Sequence, residues 1–316
     1  MAYVLRRVGI ALVLVWIVAT IVFMAIHLVP GDPAELLLST GGTVPDPASV
    51  AELRERLGLN RPLGAQYAAF LAALVRGDLG RSLVDDYPVI DEIALRLPRT
   101  LELIATGTGL AILIGVPAGT WAALNHGGGF DRAASAAAAF VLAIPVFVVG
   151  TLLVLLLAQT LRWMPAGGYV PFAKSPGQHL LLLTLPALAI AKGLTAVLFR
   201  MTRTSVLDVV GQDHVRTARA KGLTPVRVVL RHVLRNALSP VLTVLGLHMG
   251  ALLGGTVLVE YVFNWPGLST PLLRAVESRD YPMVVGIVLV VSTLFLTINL
   301  ATDLTRAALD PRIRTA

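Results

Sequence analysis

Residues 216–240 read RTARAKGLTPVRVVLRHVLRNALSP. Six of these positions are Arg or Lys, another is His232, and none is acidic. Gly222 suits the left-handed conformation that ends a helix, Thr224 is a good N-cap, and Pro225 fits the first turn of a following helix. The stretch therefore predicts helix, tight turn, helix. In the second helix Val226, Val229, Leu230, Val233, Leu234 and Ala237 fall at helical spacing and predict one packing face. Arg227, Arg231 and Arg235, each four apart, form a charged stripe beside it.

This basic segment sits inside a chain that is 56% apolar and 14% charged over 316 residues, with a mean hydropathy of +0.77. Soluble domains are about 25% charged, so the balance points to lipid as solvent. The run Gly9–Val29 contains no charge. At about 1.5 Å per residue it is long enough to cross the hydrocarbon core of a membrane. Similar runs recur at Leu101–Leu124, Ala133–Leu161, Leu180–Phe199, Val241–Tyr261 and Met283–Leu300. The expectation is an all-α membrane protein with six transmembrane helices, because a helix satisfies its own backbone in lipid. The first run is longer than a signal-peptide core and ends in LVPGDPAE without a small-residue cleavage site, so it reads as a retained anchor. There are no cysteines, which excludes thiol catalysis, disulfides and Cys-based metal sites.

Arg and Lys set the expected orientation. Six spans place both termini on one side, together with the loops Asn125–Arg132 and Arg200–Pro240. Arg6, Arg7, Arg306, Arg312 and Arg314 lie at those termini. The long loop carries Arg200, Arg203, Arg216, Arg219, Lys221, Arg227, Arg231 and Arg235 against Asp208 and Asp213. That side is expected to be cytoplasmic. Pro30–Arg99 holds seven Arg against ten Asp or Glu, a net of −3, and is expected outside. DPASVAELRERLG predicts a short helix with Asp46 as N-cap, Pro47 at its first position and Gly58 as its stop. Further amphipathic helices are expected over Leu63–Val75 and Val89–Leu97, the latter feeding the second span, and such helices are expected on the outer membrane surface. The organisation is thus 1–29, an N-terminus and first span; 30–99, an extracytoplasmic helical segment; and 100–316, a transmembrane core with the loop 200–240. No repeat or low-complexity tract interrupts it.

Binding to nucleic acid is a poor account of a helix-turn-helix tethered between two spans. Contact with anionic lipid explains the charge. It does not explain why Thr217, Ala218 and Ala220 cluster before a glycine turn, a composition suited to close approach by another protein.

Arg216-Thr-Ala-Arg-Ala-Lys-Gly222-Leu resembles the "EAA" loop of binding-protein-dependent ABC importers, in the form used by the dipeptide/oligopeptide/nickel permease family. LVPGDPAE, LGLNRPLGAQYAAFL, RGDLGRSL, LPRTLELI, RMTRTSVLDV, RNALSPVLT, VEYVFNWPGLS and DPRIR match that family in order along the chain. The short N-terminus and PGDP-bearing outer segment resemble the B-type subunit of its permease pair. Arg216 stands where the general motif has Glu, and Pro240 lies farther from Gly222 than in the general pattern. The resemblance implies a permease subunit of an ATP-driven importer of peptides, or of nickel or another small solute. The implied partners are a C-type permease, two P-loop ATPases and an extracytoplasmic substrate-binding protein, in a prokaryotic inner membrane. It further implies that Arg216, Thr217, Ala218, Arg219, Ala220, Lys221, Gly222, Leu223 and Pro225 couple the chain to the ATPases. No G-x-x-x-x-G-K-[ST] loop occurs in the sequence. ATP and Mg are therefore expected to be used by the partners, with no cofactor on this chain and no catalysis of its own.

Ionisable residues within spans are functional candidates by default. Lys192 reads either as a charge that faces the pathway or pairs within the bundle, or as a side chain snorkelling to the inner interface. His248 lies among glycines that permit close helix approach. It reads more readily as a hydrogen-bonded core residue than as a ligand. Glu260 and the turn at Trp265, Pro266 and Gly267 suggest an outer gate over Val257–Leu268, with interfacial anchoring as the plainer alternative. The histidines lack metal-ligand spacing, so no metal site is expected. A proton-coupled carrier would show acids deep in several spans, and an intramembrane enzyme a paired nucleophile and base or H-E-x-x-H. Neither pattern is present.

Overall fold

The computed structural model describes residues 2–28, 33–38, 46–56 and 58–309. The central part of LVPGDPAE, the DPRIR ending, Arg312 and Arg314 lie outside the described residues, as does the side chain of Arg306. The described chain is helical: α1 Ala2–Leu28, α2 Pro33–Leu38, α3 Pro47–Arg56, α4 Leu63–Val75, α5 Val89–Leu124, α6 Gly129–Ala143, α7 Val146–Leu153, α8 Pro176–Val210, α9 Asp213–Ala220, α10 Pro225–Val228, α11 Leu234–Val262, α12 Ser269–Glu277 and α13 Tyr281–Leu309. Two π-helical stretches continue α7 over Val154–Thr160 and join α10 to α11 over Val229–Val233.

Five helices are long and apolar enough to cross a membrane by length and composition: those containing Leu5–Ala25, Val89–Leu124, Pro176–Val210, Pro225–Val262 and Tyr281–Thr305. The expected third span, Ala133–Leu161, is not one helix. It is broken between α6 and α7, whose axes differ by 101°. The cause is the Ile144–Pro145 step. Proline has no N–H and pushes the preceding residue out of the helical region, and Ile144 is extended at φ −91°, ψ 126°. Helices form over Pro47–Arg56 and Leu63–Val75. Asp46 Oδ2 accepts from the Ser49 amide at 3.4 Å, and Gly58 takes φ +67°. The 89–97 stretch is the start of α5 itself.

The chain divides into two compact units. The first comprises 1–8, 98–267 and 295–316. Its central packing joins α5 to α8 through small residues at intervals of four: Gly107, Ala111, Gly115 and Gly119. A β-carbon at Gly115 would lie 2.8 Å from the Thr195 carbonyl oxygen, and one at Gly107 2.7 Å from Ile190. Ala111 is wholly buried. Without a hydrophobic force between helices in lipid, such close approach is what holds them together. On α11, Gly246 and Gly250 likewise receive Thr302 and Phe295 of α13. Arg7 Nη1 and Asp303 Oδ2 pair at 2.7 Å.

The second unit comprises 9–97 and 268–294. Val89, Ile93, Leu268, Ala275, Met283 and Ile287 form its core. Ala19 of α1 packs with Val285 and Leu289, flanked by Phe70, Leu71 and Leu74 of α4. Tyr67 and Thr20 hydrogen-bond through their hydroxyls at 2.6 Å.

Candidate functional site

All positions discussed here belong to the first unit. The turn after α9 has the expected geometry. Gly222 takes φ +75°, its amide donates to the Arg219 carbonyl at 2.9 Å, and the Leu223 amide reaches back to the Ala218 carbonyl at 3.4 Å. These two bonds make a Schellman turn, and Leu223 packs under it as the motif requires. Pro225 then occupies the first position of α10.

Beneath the turn lies an apolar cluster made by the chain itself: Val206, Val209, Val215, Ala218, Val228, Val233 and Ala237. Burying a valine is worth about 1.5–3 kcal/mol relative to water, so this cluster fixes the loop without a partner. It also corrects two expectations. Ala218 is 4% exposed and seats on its own chain, because it lies on the inner face of α9 beside Val215. In addition, the packing face of the second helix is not the one that a 3.6-residue period predicts. Val226 is 68% and Leu230 62% exposed, while Val228 is buried. The reason is the π turn at Val229–Val233: its i→i+5 bonding shifts the inward positions to Val228, Val233 and Ala237, spaced five and then four.

The surface left open around the turn therefore comprises Arg216, Thr217, Arg219, Ala220, Lys221, Gly222 and Pro225, joined by Val226 and Leu230. Arg216 makes only an exposed contact with Asp213 at 3.4 Å, worth little in water. Arg227, Arg231 and Arg235 are exposed as expected. His214 Nε2 lies 3.2 Å from Asn236 Nδ2, bracing α9 against α11.

Arg203, two turns before the end of α8, forms a two-point pair with Asp131 at the start of α6: Nε to Oδ1 at 2.5 Å and Nη2 to Oδ2 at 2.9 Å. The Gly127 amide donates to the same carboxylate at 2.9 Å. Asp131 is buried, so the pair and its hydrogen bonds replace water as a set. This strut fixes the 125–132 loop to α8, the helix that leads into the basic loop.

Lys192 is held within the bundle, bonded to backbone rather than to an acidic side chain. Its ammonium donates to the carbonyl oxygens of Val141, at 3.0 Å, and Ile144. Those carbonyls are left without helical partners where Pro145 ends α6. A cation there also meets the negative end of the helix dipole. Lys192 thus caps the break in the third span.

His248 makes no hydrogen bond among the described residues, although Gly246 and Gly250 beside it do permit close approach. Glu260 is 2% exposed and accepts from the Thr100 hydroxyl at 2.6 Å. Its carboxylate fills the space where Gly267 would carry a side chain, which is why that position is glycine. The helix stops at Val262, before the Trp265-Pro266-Gly267 turn. Trp265 is 1% exposed and its indole donates to the Arg99 carbonyl at 3.0 Å, so it does not anchor at a lipid interface. Arg99 returns a bond to the Pro266 carbonyl at 3.3 Å and stacks over Tyr169. Beside them His179 bridges the Val170 carbonyl and Glu102, at 2.7 and 2.8 Å, with both ring nitrogens facing oxygen. Among the described residues no three His, Asp or Glu side chains converge as a metal requires.

Comparison with known proteins places this geometry. The family model described as binding-protein-dependent transport system inner membrane component matches residues 115–315, and its N-terminal counterpart matches residues 1–104. The glutathione transport system permease protein GsiC of Escherichia coli (strain K12) is 40% identical over 312 residues, covering 99% of this chain and 98% of that protein. The protein of the same name from Salmonella choleraesuis (strain SC-B67) shows the same identity and coverage. An inward-facing crystal form of the MetNI methionine ABC transporter shares the fold with a TM-score of 0.56. It is 18% identical and covers 69% of this chain and 96% of its own.

Proposed function

The chain belongs to the family of binding-protein-dependent transport system inner membrane components, and from that premise we propose that it is the B-type half of the pathway in an ATP-driven importer of short peptides. Relatives named for glutathione transport, at 40% identity along nearly the whole chain, support the peptide class. Glutathione itself falls within that class. The partner subunits follow from the family: a C-type permease, two ATPases that bind ATP and Mg, and an extracytoplasmic binding protein. The chain sits in a prokaryotic inner membrane with both termini and the 200–240 loop in the cytoplasm, a reading supported by the Arg and Lys distribution.

The observation that carries this reading is the Schellman-locked turn, which offers Arg216, Thr217, Arg219, Ala220, Lys221 and the apolar pair Val226 and Leu230 outward while Ala218 and Leu223 hold it from beneath. A coupling element must transmit force without slipping, and this one is bolted to α8 and α11. ATPase closure on it moves those helices. Glu260, Trp265, Pro266 and Gly267 form a rigid outer stop for the pathway. His248 lies on the same helix as that stop, and Lys192 sets the shape of the broken third span.

Purification of the tagged chain from its native membrane in mild detergent, followed by reconstitution, tests the reading. Co-purification of a second permease and P-loop ATPases, with ATP-dependent peptide uptake, is the expected result. A chain recovered alone, under conditions that keep other membrane complexes intact, would overturn it.

A further inference from the structure

His179, in the first turn of α8, is 1% exposed, and each of its ring nitrogens faces an oxygen. Nδ1 lies 2.7 Å from the Val170 carbonyl oxygen and Nε2 lies 2.8 Å from Glu102 Oε1. A carbonyl oxygen only accepts, so Nδ1 carries a hydrogen. A neutral imidazole then has none left for Nε2, which would set a bare lone pair against a carboxylate. Contact at that distance requires one further hydrogen, on Nε2 or on Glu102 itself. In both arrangements the pair holds one proton more than a neutral imidazole and an ionised carboxylate hold apart.

This proton joins α5, α8 and the loop that precedes α8. Both helices begin at the end opposite the basic loop, so the pair lies on the outer side; that placement rests on the proposed importer reading. The loop is in turn fixed to the Trp265-Pro266-Gly267 stop. The Gly168 amide donates to the Phe263 carbonyl at 2.8 Å, and a β-carbon at Gly167 would strike that same carbonyl. Tyr169 meets His179 and Trp265 edge-on, with ring centres 5.7 and 5.0 Å apart, and His179 itself meets Trp265 at 5.9 Å. The imidazole is sealed while the Glu102 side chain is 34% exposed, so the carboxylate is the proton's way in and out. The other charged groups nearby are turned elsewhere. Arg99 of α5 stacks over Tyr169 and donates to the Pro266 carbonyl, Glu260 of α11 accepts from Thr100 beneath Gly267, and Lys174 is exposed on the loop.

We propose that Glu102 and His179 form a proton-binding site that latches the outer stop. With the proton in place, α5, α8 and the loop against Trp265 are one joint. When it leaves to the external water, the Nε2 lone pair and the carboxylate repel and the joint opens. The outer end of the pathway therefore loosens as external pH rises, with histidine in its usual part as the group that titrates near neutrality.

The chain has no cysteine, so Val259→Cys, a near-isosteric change at a position 1% exposed in the apolar cluster with Trp265, gives a single reporter of opening. The complete complex in nanodiscs is labelled with a water-soluble maleimide, and the rate is divided by that of Val259→Cys combined with Glu102→Gln, which cancels the thiol's own response to pH. A glutamine amide donates to a neutral imidazole, so the combined variant keeps the joint without the extra proton. The ratio is expected to rise at least about three-fold between about pH 6.5 and about pH 9, as a charge-assisted bond is lost. His27→Gln, which removes the other histidine at an outer helix end, should leave that rise intact. His179→Phe should label fast at every pH. Peptide-driven ATPase activity relative to the peptide-free rate should fall over the same range in the native chain and stay level in Glu102→Gln. A labelling ratio that is constant or falling across the range would overturn the proposal, because a merely structural pair gives no rise. A ratio that rises in a complex whose ATPase never responds to peptide would instead sink the importer reading and leave the latch standing.

Discussion

Arg203 reaches across from α8 to hold Asp131 by two parallel bonds, seventy-two positions back in the chain, at 2.5 and 2.9 Å. Removing the guanidinium leaves a buried carboxylate with the Gly127 amide, the His126 imidazole at 3.1 Å and the Ser135 hydroxyl at 3.4 Å as its remaining neighbours. Arg203→Met should lower the melting temperature of the assembled protein by several degrees, because it orphans one member of a two-point ion pair. Arg203→Lys should recover part of that loss, because a lysine makes one contact where the arginine makes two. Thermal unfolding of the purified complex measures both.

Lys192→Met leaves the Val141 and Ile144 carbonyls without their donor. The expected cost is about 1–3 kcal/mol for backbone acceptors left unsatisfied within an apolar span. Uptake should fall equally for anionic and neutral peptides, because the ammonium is bonded to backbone. A defect confined to anionic peptides would place Lys192 on the pathway instead.

Gly222→Pro should abolish uptake while the chain still reaches the membrane. It removes the amide that bonds Arg219 and forbids φ +75°. Gly222→Asn should retain most activity and Gly222→Val very little, since open space surrounds the position and only the backbone conformation is at stake. Transport normalised to membrane-inserted protein reads the difference. Full activity in Gly222→Pro would remove the coupling turn.

The π-turn register gives a paired test. Val228→Asp puts a charge into the cluster beneath the turn and should prevent stable accumulation. Val226→Asp should accumulate normally, because that side chain is exposed. On a regular α-helix the two outcomes would be reversed. In the intact transporter Val226→Asp should still lower peptide-driven ATPase activity, through the surface that it shares with Leu230.

Glycines of α5 differ in what they face. A β-carbon at Gly119 would run into the Phe199 carbonyl oxygen at 2.5 Å, whereas Gly109 has nothing within 4 Å. Gly119→Ala should lower the melting temperature of the detergent-solubilised protein by several degrees, and Gly109→Ala should leave it unchanged or raise it slightly.

Long apolar runs and local turn chemistry were legible because both are properties of neighbours in the chain. Gly9–Val29, the Asp46 cap and the Gly222 turn needed no knowledge of the rest. Pro145 was visible too, yet an apolar run through it concealed a break whose supporting cation lies some fifty residues later. A regular period turns Val226 and Leu230 inward, but the π turn at Val229–Val233 is not regular and leaves both exposed. The interval of four from Gly107 to Gly119 is a small-residue spacing within one apolar run, and the sequence does not say which helix it faces. Glu102 with His179, and Asp131 with Arg203, join residues more than seventy positions apart, and nothing in either local context announces its mate.

The wide turn at Val229–Val233 also bears on how the chain can change over time. Between Val228 and Ala237 the helix holds one residue more than regular winding would need to keep both on the same side. Deleting a single position there would let the segment rewind without rotating either flank, so this is a place where a one-residue length difference among relatives can be absorbed. Two residues farther along, the same deletion would turn the whole fifth span about its axis.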